Sequence, residues 1–190
     1  MKNLKYLTIS ILPLMWSVYF LFEILTGRVK DLPTIIGNIA LIILFALVGF
    51  YFYKLSQKYP QGFKCKTIII IFSILMVIDQ GIKLIIKFFF FEDYIDIIKG
   101  FLSFNPIINT DGSWLNARFS TGISFPLLIF VNFIAIVLFF ELYRYYLSKG
   151  NNSFYGDMCF LFIFSGSLCS LIDKIFYGGS LDFIGISNLF

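Results

Sequence analysis

The sequence predicts an all-α polytopic membrane protein of about five transmembrane helices, with a small extracytoplasmic β-sheet in the loop after the third. Composition carries the first part: hydrophobic residues make up 59% of the chain and charged residues 14%, against about 45–50% and about 25% in soluble domains. Mean hydropathy is +0.88, more apolar surface than one soluble core of 190 residues can hide. The second observation is a set of apolar runs close to the roughly 20 residues that cross hydrocarbon. The third is a grouping of lysines and arginines that gives these runs a common orientation.

The runs are about Leu4–Leu25, Pro33–Leu55, Thr67–Phe91, Ile123–Tyr146 and Gly156–Tyr177. The first follows Met1-Lys2 and has the look of a signal-peptide core. It is too long for one, however, and Glu23-Ile24-Leu25-Thr26-Gly27 is no small-x-small cleavage site, so it is read as a retained helix. From the end of the second run to the third stand Lys54, Lys58, Lys64 and Lys66 without an acid; the end of the fourth run and the loop after it add Arg144 and Lys149, and the N-terminus has Lys2 and Lys5. Alternation puts all three groups on one side, expected to be cytoplasmic. Loop Gly27–Pro33, with Arg28 and Lys30, runs against the pattern.

The opposite side receives Phe91–Gly122, with Glu92, Asp93, Asp96 and Asp111, and the tail with Asp182. Within that loop Tyr94-Ile95-Asp96-Ile97-Ile98 and Phe101-Leu102-Ser103-Phe104 read as short strands, punctuated by Gly100, Pro106 and Asp111-Gly112. A sheet rich in aromatics at the membrane surface is expected there. Two parts follow: a two-helix membrane extension over residues 1–66 and a second membrane domain over 67–190.

Several chemistries find no support. The net charge of +4 is spread along the chain rather than gathered on a basic face, so no nucleic-acid partner is expected. Histidine is absent, and Cys65, Cys159 and Cys169 form no paired spacing, so no disulfide framework, metal site or cofactor is expected. Carboxylates, hydroxyls, amides and lysine remain.

Intramembrane ionisable residues are functional by default. Asp79 and Lys83, four apart near the outer end of the third span, share a helix face and can pair. The bland alternative is a snorkelling lysine that Asp79 neutralises. Asp173 lies near the outer end of the fifth span, with Ser170 one turn before it and in reach of a hydrogen bond. Lys174 is adjacent and therefore off that face. Gly166, Ser167, Cys169 and Ser170 let a second helix approach closely, and a plain packing face would look the same. Asp182 follows Gly178-Gly179, which permit a tight turn that aims the carboxylate back, although an aspartate after two glycines is also ordinary loop chemistry. Two neighbouring carboxylates can divide acid and base roles and activate water. A proton relay through Asp79, Lys83 and Asp173 fits less well, because the acids cluster toward one face.

Three stretches together resemble the signal peptidase II family. Asp79-Gln80-x-x-Lys83 is similar to its D-Q-x-x-K, and Asn109–Phe119 resembles its N-x-G-x-A-F region, aligning through Asn109 or Asn116, with Asn116-Ala117 preferred. Gly166…Ser170-x-x-Asp173-Lys174-x-x-x-Gly178-x-x-Leu181-Asp182-Phe183 resembles G-x-x-G-N-x-x-D-R-x-x-x-G-x-V-x-D-F without a gap. The resemblance covers about Thr67 to Phe190.

The resemblance implies an aspartic endopeptidase of the bacterial cytoplasmic membrane that removes signal peptides from diacylglyceryl-modified prolipoproteins. Its partners would be that lipidated substrate and membrane lipids. Asp182 matches a catalytic aspartate and Asp173 an acid of the same site; Asp79, Lys83, Asn116 and Ser170 would support substrate or site. Ser170 stands where the family has asparagine, Lys174 where it has arginine and Cys169 where it has glycine. The family's second catalytic aspartate lies in an F-N-x-A-D stretch beyond Ser187-Asn188-Leu189-Phe190. The sequence therefore reads as C-terminally truncated: a fragment of a longer enzyme, or a non-catalytic homologue that binds lipidated precursors or a membrane partner.

Overall fold

The computed structural model describes residues 2–112, 116, 119 and 122–186. Among these residues the helices are α1 (Lys2–Leu25), α2 (Leu32–Lys58), α3 (Cys65–Ile85), α4 (Phe125–Ser148) and α5 (Phe154–Tyr177). Each carries a stretch long and apolar enough to cross a membrane. A π-helical turn (Ile86–Phe90) extends α3, so the predicted third span is present in two pieces. Leu14, Val18, Leu47, Val77 and Leu138 stay exposed, as side chains facing lipid do.

The helix ends follow from local chemistry. Asp31 caps α2, its Oδ1 accepting from the Thr34 amide at 2.8 Å, with Pro33 in the first turn where no N–H is needed. Hydrogen bonds from Thr34 hold the Asp31 carboxyl below the usual carboxylate range. The fourth helix starts at Phe125 rather than the predicted Ile123, because Pro126 fits only the first turn. The fifth starts two residues earlier than predicted, where Ser153 Oγ accepts from the Gly156 amide at 3.1 Å.

Three strands form one sheet in the order β1 (Ile95–Ile98), β2 (Leu102–Asn109), β3 (Ser180–Ile186). β1 and β2 are antiparallel, pairing Ile95 with Phe104 and Asp96 with Ser103, and a bulge shifts the register before Ile98 meets Leu102. That pairing ends at Phe104, so Pro106 withholds no ladder bond from β1. The sheet is not confined to the loop after α3, as expected, because its third strand is the segment that carries Asp182. The alternation of buried Leu181 with exposed Asp182 suits a one-sided strand.

The chain divides into two compact units. One gathers α1, α2, β1, the first half of β2 and the end of β3. Its helices meet along a polar seam: Trp16 Nε1 donates to Asn38 Oδ1 at 3.0 Å, and Asn38 Nδ2 donates to Thr34 O at 2.8 Å. Glu23, 0% exposed, lies 3.9 Å from the Arg28 guanidinium. Pro13 cannot donate to Ile9 O, and at that carbonyl Gly49 lets α2 close in; a Cβ there would fall 2.8 Å from Ile9 O.

The second unit gathers α3, the π turn, α4, α5 and the rest of β2 and β3. Rings join its helices: Tyr143 of α4 stacks on Phe160 of α5 at 4.0 Å between centroids, and Phe72 of α3 meets Phe164 at 5.6 Å.

Candidate active site

All the candidate residues belong to the second unit. Asp79, Gln80 and Lys83 lie on adjoining turns of α3. Lys83 Nζ donates to Asp79 Oδ2 at 2.8 Å and to Asp173 Oδ2 at 2.7 Å. Gln80 Nε2 donates to Asp79 Oδ2 and to Asp173 Oδ1, both at 3.0 Å. Both oxygens of Asp173, which is 2% exposed, are thus engaged. Water cannot supply these partners inside hydrocarbon, so the ammonium and amide that do so clamp α3 to α5.

Ser170 does not pair with Asp173, as its spacing allowed. Its Oγ accepts from Lys174 Nζ at 2.5 Å, one turn on, while Lys83 and Gln80 occupy Asp173. Lys174 is 7% exposed. A cavity of about 370 Å³ adjoins this face, lined by Gly112, Leu128, Asn132, Gly166, Ser170 and Lys174 among others. The small residues of α5 thus leave room rather than only admitting another helix.

Asp182 is exposed on β3, and its Oδ2 accepts from Asn109 Nδ2 at 3.0 Å. Two glycines bring this about. Gly178 ends α5 with φ 70°, a left-handed conformation, and Gly179 lies so close to β2 that a Cβ would fall 2.6 Å from Asn109 O. Asn109 Oδ1 accepts from the Asp111 amide at 3.1 Å, which turns the amide group toward β3.

Of the two asparagines left open by the sequence, Asn109 is the one beside Asp182. Asn116 staples the loop instead: its Nδ2 donates to Asp111 O at 3.0 Å and Ile123 O at 2.8 Å, and its Oδ1 accepts from the Ile123 amide at 3.1 Å. Ala117 and Ser187–Phe190, which also entered the comparison with the family's motifs, lie outside the described residues.

Sequence reasoning missed Gln80 as a ligand of Asp173, although it stands inside the quoted motif. It also missed Asp157, a 3% exposed acid whose carboxylate accepts from Tyr143 Oη at 2.7 Å and the Phe63 amide at 2.5 Å. A signal for it existed in an acid one turn after the Ser153 cap, where the helix dipole favours negative charge.

A buried ion-pair clamp between two long apolar helices, with an exposed carboxylate on the strand that follows, defines a multi-pass membrane protein carrying an acidic site at one end. The chain belongs to the signal peptidase II family: the model of that family, signal peptidase (SPase) II, matches residues 69–190, well over half of its length. Membership supports a role as a lipoprotein signal peptidase. No curated protein sequence matches the chain. A solved bacterial membrane enzyme, determined by the in meso method at 2.3 Å resolution, is similar with a TM-score of 0.51 and 22% identity, over 67% of this chain and 74% of that one. At that identity the likeness is one of fold.

Proposed function

We propose that this chain is an aspartic endopeptidase that cuts diacylglyceryl-modified prolipoproteins just before the lipidated cysteine. It would work in the bacterial cytoplasmic membrane, with Asp182 facing the extracytoplasmic side. The observation that carries this reading is the Asp182 carboxylate, exposed on β3 and held by Asn109 Nδ2 at 3.0 Å. A carboxylate so held is free to take a proton from water, and a hydrogen bond to one oxygen leaves the other for that task. The Asp79–Gln80–Lys83–Asp173 clamp holds the end of α5, from which Gly178 and Gly179 launch β3. Asp173 serves this reading as a positioning acid, because Lys83 and Gln80 engage both its oxygens. Asn116 ties the Asp111 and Ile123 backbones together, and the basic residues Lys54, Lys58, Lys64, Lys66, Arg144 and Lys149 support the proposed orientation.

That engagement of Asp173 also favours a second reading, a non-catalytic homologue that binds lipidated precursors. One experiment separates the two. The purified chain in nanodiscs is given a diacylglyceryl-modified prolipoprotein peptide. The enzyme reading expects a product ending before the lipidated cysteine, and loss of turnover in Asp182→Asn. Binding without product favours the second reading, and turnover retained by Asp182→Asn overturns the first.

A further inference from the structure

We infer that the second unit binds an anionic phospholipid at the end of α5 opposite Asp182, one acyl chain lying in a ring-lined slot between α3 and α4 and the phosphate at Arg144. The slot is a cavity of about 540 Å³, within the range of small-ligand sites. Its walls are residues 65–72 of α3, 140–147 of α4 and 157–164 of α5. Each wall runs about 10 Å from a helix end into the span. α5 packs on both α3 and α4, and no comparable contact joins α3 to α4 among the described residues. The slot is the gap between those two helices, and α5 is its floor.

The lining changes along the length of the slot. Phe72, Phe140 and Phe164 stand at its deep end. Phe160 stacks on Phe164 at 5.0 Å and on Tyr143 at 4.0 Å between centroids, so the floor is a row of rings already packed in place. At the helix ends the lining turns polar, with Cys65, Arg144, Asn152 and Asp157. A molecule with an apolar tail and a polar head matches that order. Ile69 and Phe140 stay exposed on the walls, which opens the slot sideways to hydrocarbon, the route a lipid chain takes.

Charge decides the head. Arg144 lines the polar end, and Lys64 and Lys66, both exposed, flank Cys65. Of the acids at this end, Asp157 is 3% exposed and already accepts from Tyr143 Oη at 2.7 Å and the Phe63 amide at 2.5 Å. It therefore ties the mouth together instead of meeting a ligand. Gly62, with φ 75°, lets that segment close in, because a Cβ there would strike the Asp157 carboxylate. Glu141 accepts from Arg144 Nη1 at 2.8 Å, an exposed pair that contributes little. The guanidinium carries further N–H groups in the fork that phosphate matches.

A zwitterionic head would bring a cation of its own into this basic mouth, whereas an anionic phosphodiester brings none. Basic pockets between spans at the cytoplasmic end suit anionic headgroups, and the orientation proposed above puts this end there. Only that orientation is shared with the peptidase reading; no cleavage at Asp182 is involved.

The test places the full chain in phosphatidylcholine nanodiscs with a trace of phosphatidylglycerol that bears a diazirine on one acyl chain. After irradiation, peptide mass spectrometry locates the adducts and compares them with those of a phosphatidylcholine bearing the same diazirine. Adducts of the anionic probe are expected on residues 65–72 and 140–147, about fivefold or more above the zwitterionic probe, and removed by excess unlabelled phosphatidylglycerol. Exposed Leu14 and Val18 of α1 report bulk lipid and should be labelled equally by both probes. Arg144→Gln should lower labelling of the slot about fivefold without changing that reference. Ile68→Trp, which fills the slot, should abolish it. Equal labelling of the slot by the two probes overturns the proposal. So does an absence of slot adducts, whether the slot stays empty or a second copy of the chain covers it. Both comparisons use the parent protein, so folding of the variants is not critical. A folded Arg144→Gln labelled like the parent takes the phosphate away from Arg144 and overturns the proposal as well. None of these outcomes depends on prolipoprotein cleavage, so failure here leaves the peptidase reading standing.

Discussion

Lys83 Nζ lies 2.7 Å from Asp173 Oδ2, bridging two helices whose positions in the chain are 90 residues apart. The same ammonium reaches Asp79 at 2.8 Å, so one cation serves two carboxylates, and the Gln80 amide supplies the remaining donors. Removing the cation leaves Asp173 buried and charged against Asp79. Lys83→Met is expected to cost about 3–5 kcal/mol and to lower Tm in detergent by on the order of 10 °C. Asp79→Asn leaves Lys83 paired with Asp173 at 2.7 Å and keeps a side-chain oxygen that can accept from it, so it should cost less, about 1 kcal/mol. Thermal melts of the two variants side by side check the order, and equal losses would contradict the clamp.

Asn109 and Asn116 should separate by readout. Losing a charge-assisted hydrogen bond to Asp182, Asn109→Ala is expected to lower kcat/KM about tenfold with Tm little changed. Asn116→Ala removes the acceptor of the Ile123 amide, so its effect should appear as faster amide exchange at Ile123. The opposite pattern would return Asn116 to the place beside Asp182.

Gly179 tests how closely β3 must approach β2. A methyl group at 2.6 Å from Asn109 O forces the strand away, and Gly179→Ala is expected to reduce kcat about tenfold or more with KM nearly unchanged. Parent-like kinetics would mean that the placement of Asp182 does not matter to turnover.

Asp31 offers a pH-dependent contribution outside the spans. Its carboxyl is held below the ordinary range by Thr34, so the stability it adds is present above its unfolded value of about 3.9. That stability is lost as pH falls through the lower, folded value. Amide exchange at Thr34 should therefore accelerate as pH drops below about 4, relative to the neighbouring amides. Asp31→Ala should show the faster exchange at every pH.

Much of the architecture was legible because its determinants are local. The five apolar runs announce helices, and the two glycines after the fifth announce a turn, without reference to partners. Asp79 and Lys83 were legible as a pair because helix geometry alone puts residues four apart on one face. Pairings across elements were not. That Lys83 would also bind Asp173, that Ser170 would meet Lys174, and that Asn109 rather than Asn116 would hold Asp182 depend on helix rotation and strand register. The third strand was missed for the same reason, because a strand's partner lies elsewhere in the chain.

The sequence by itself determined a multi-pass membrane chain with acids where lipid should exclude them, since composition and period need no partner to be read. Only the tertiary structure decided which of those acids is clamped and which stands free. A buried charge must find its counter-charge in space: α3 brought Lys83 and Gln80 to Asp173, and the sheet left Asp182 exposed beside Asn109.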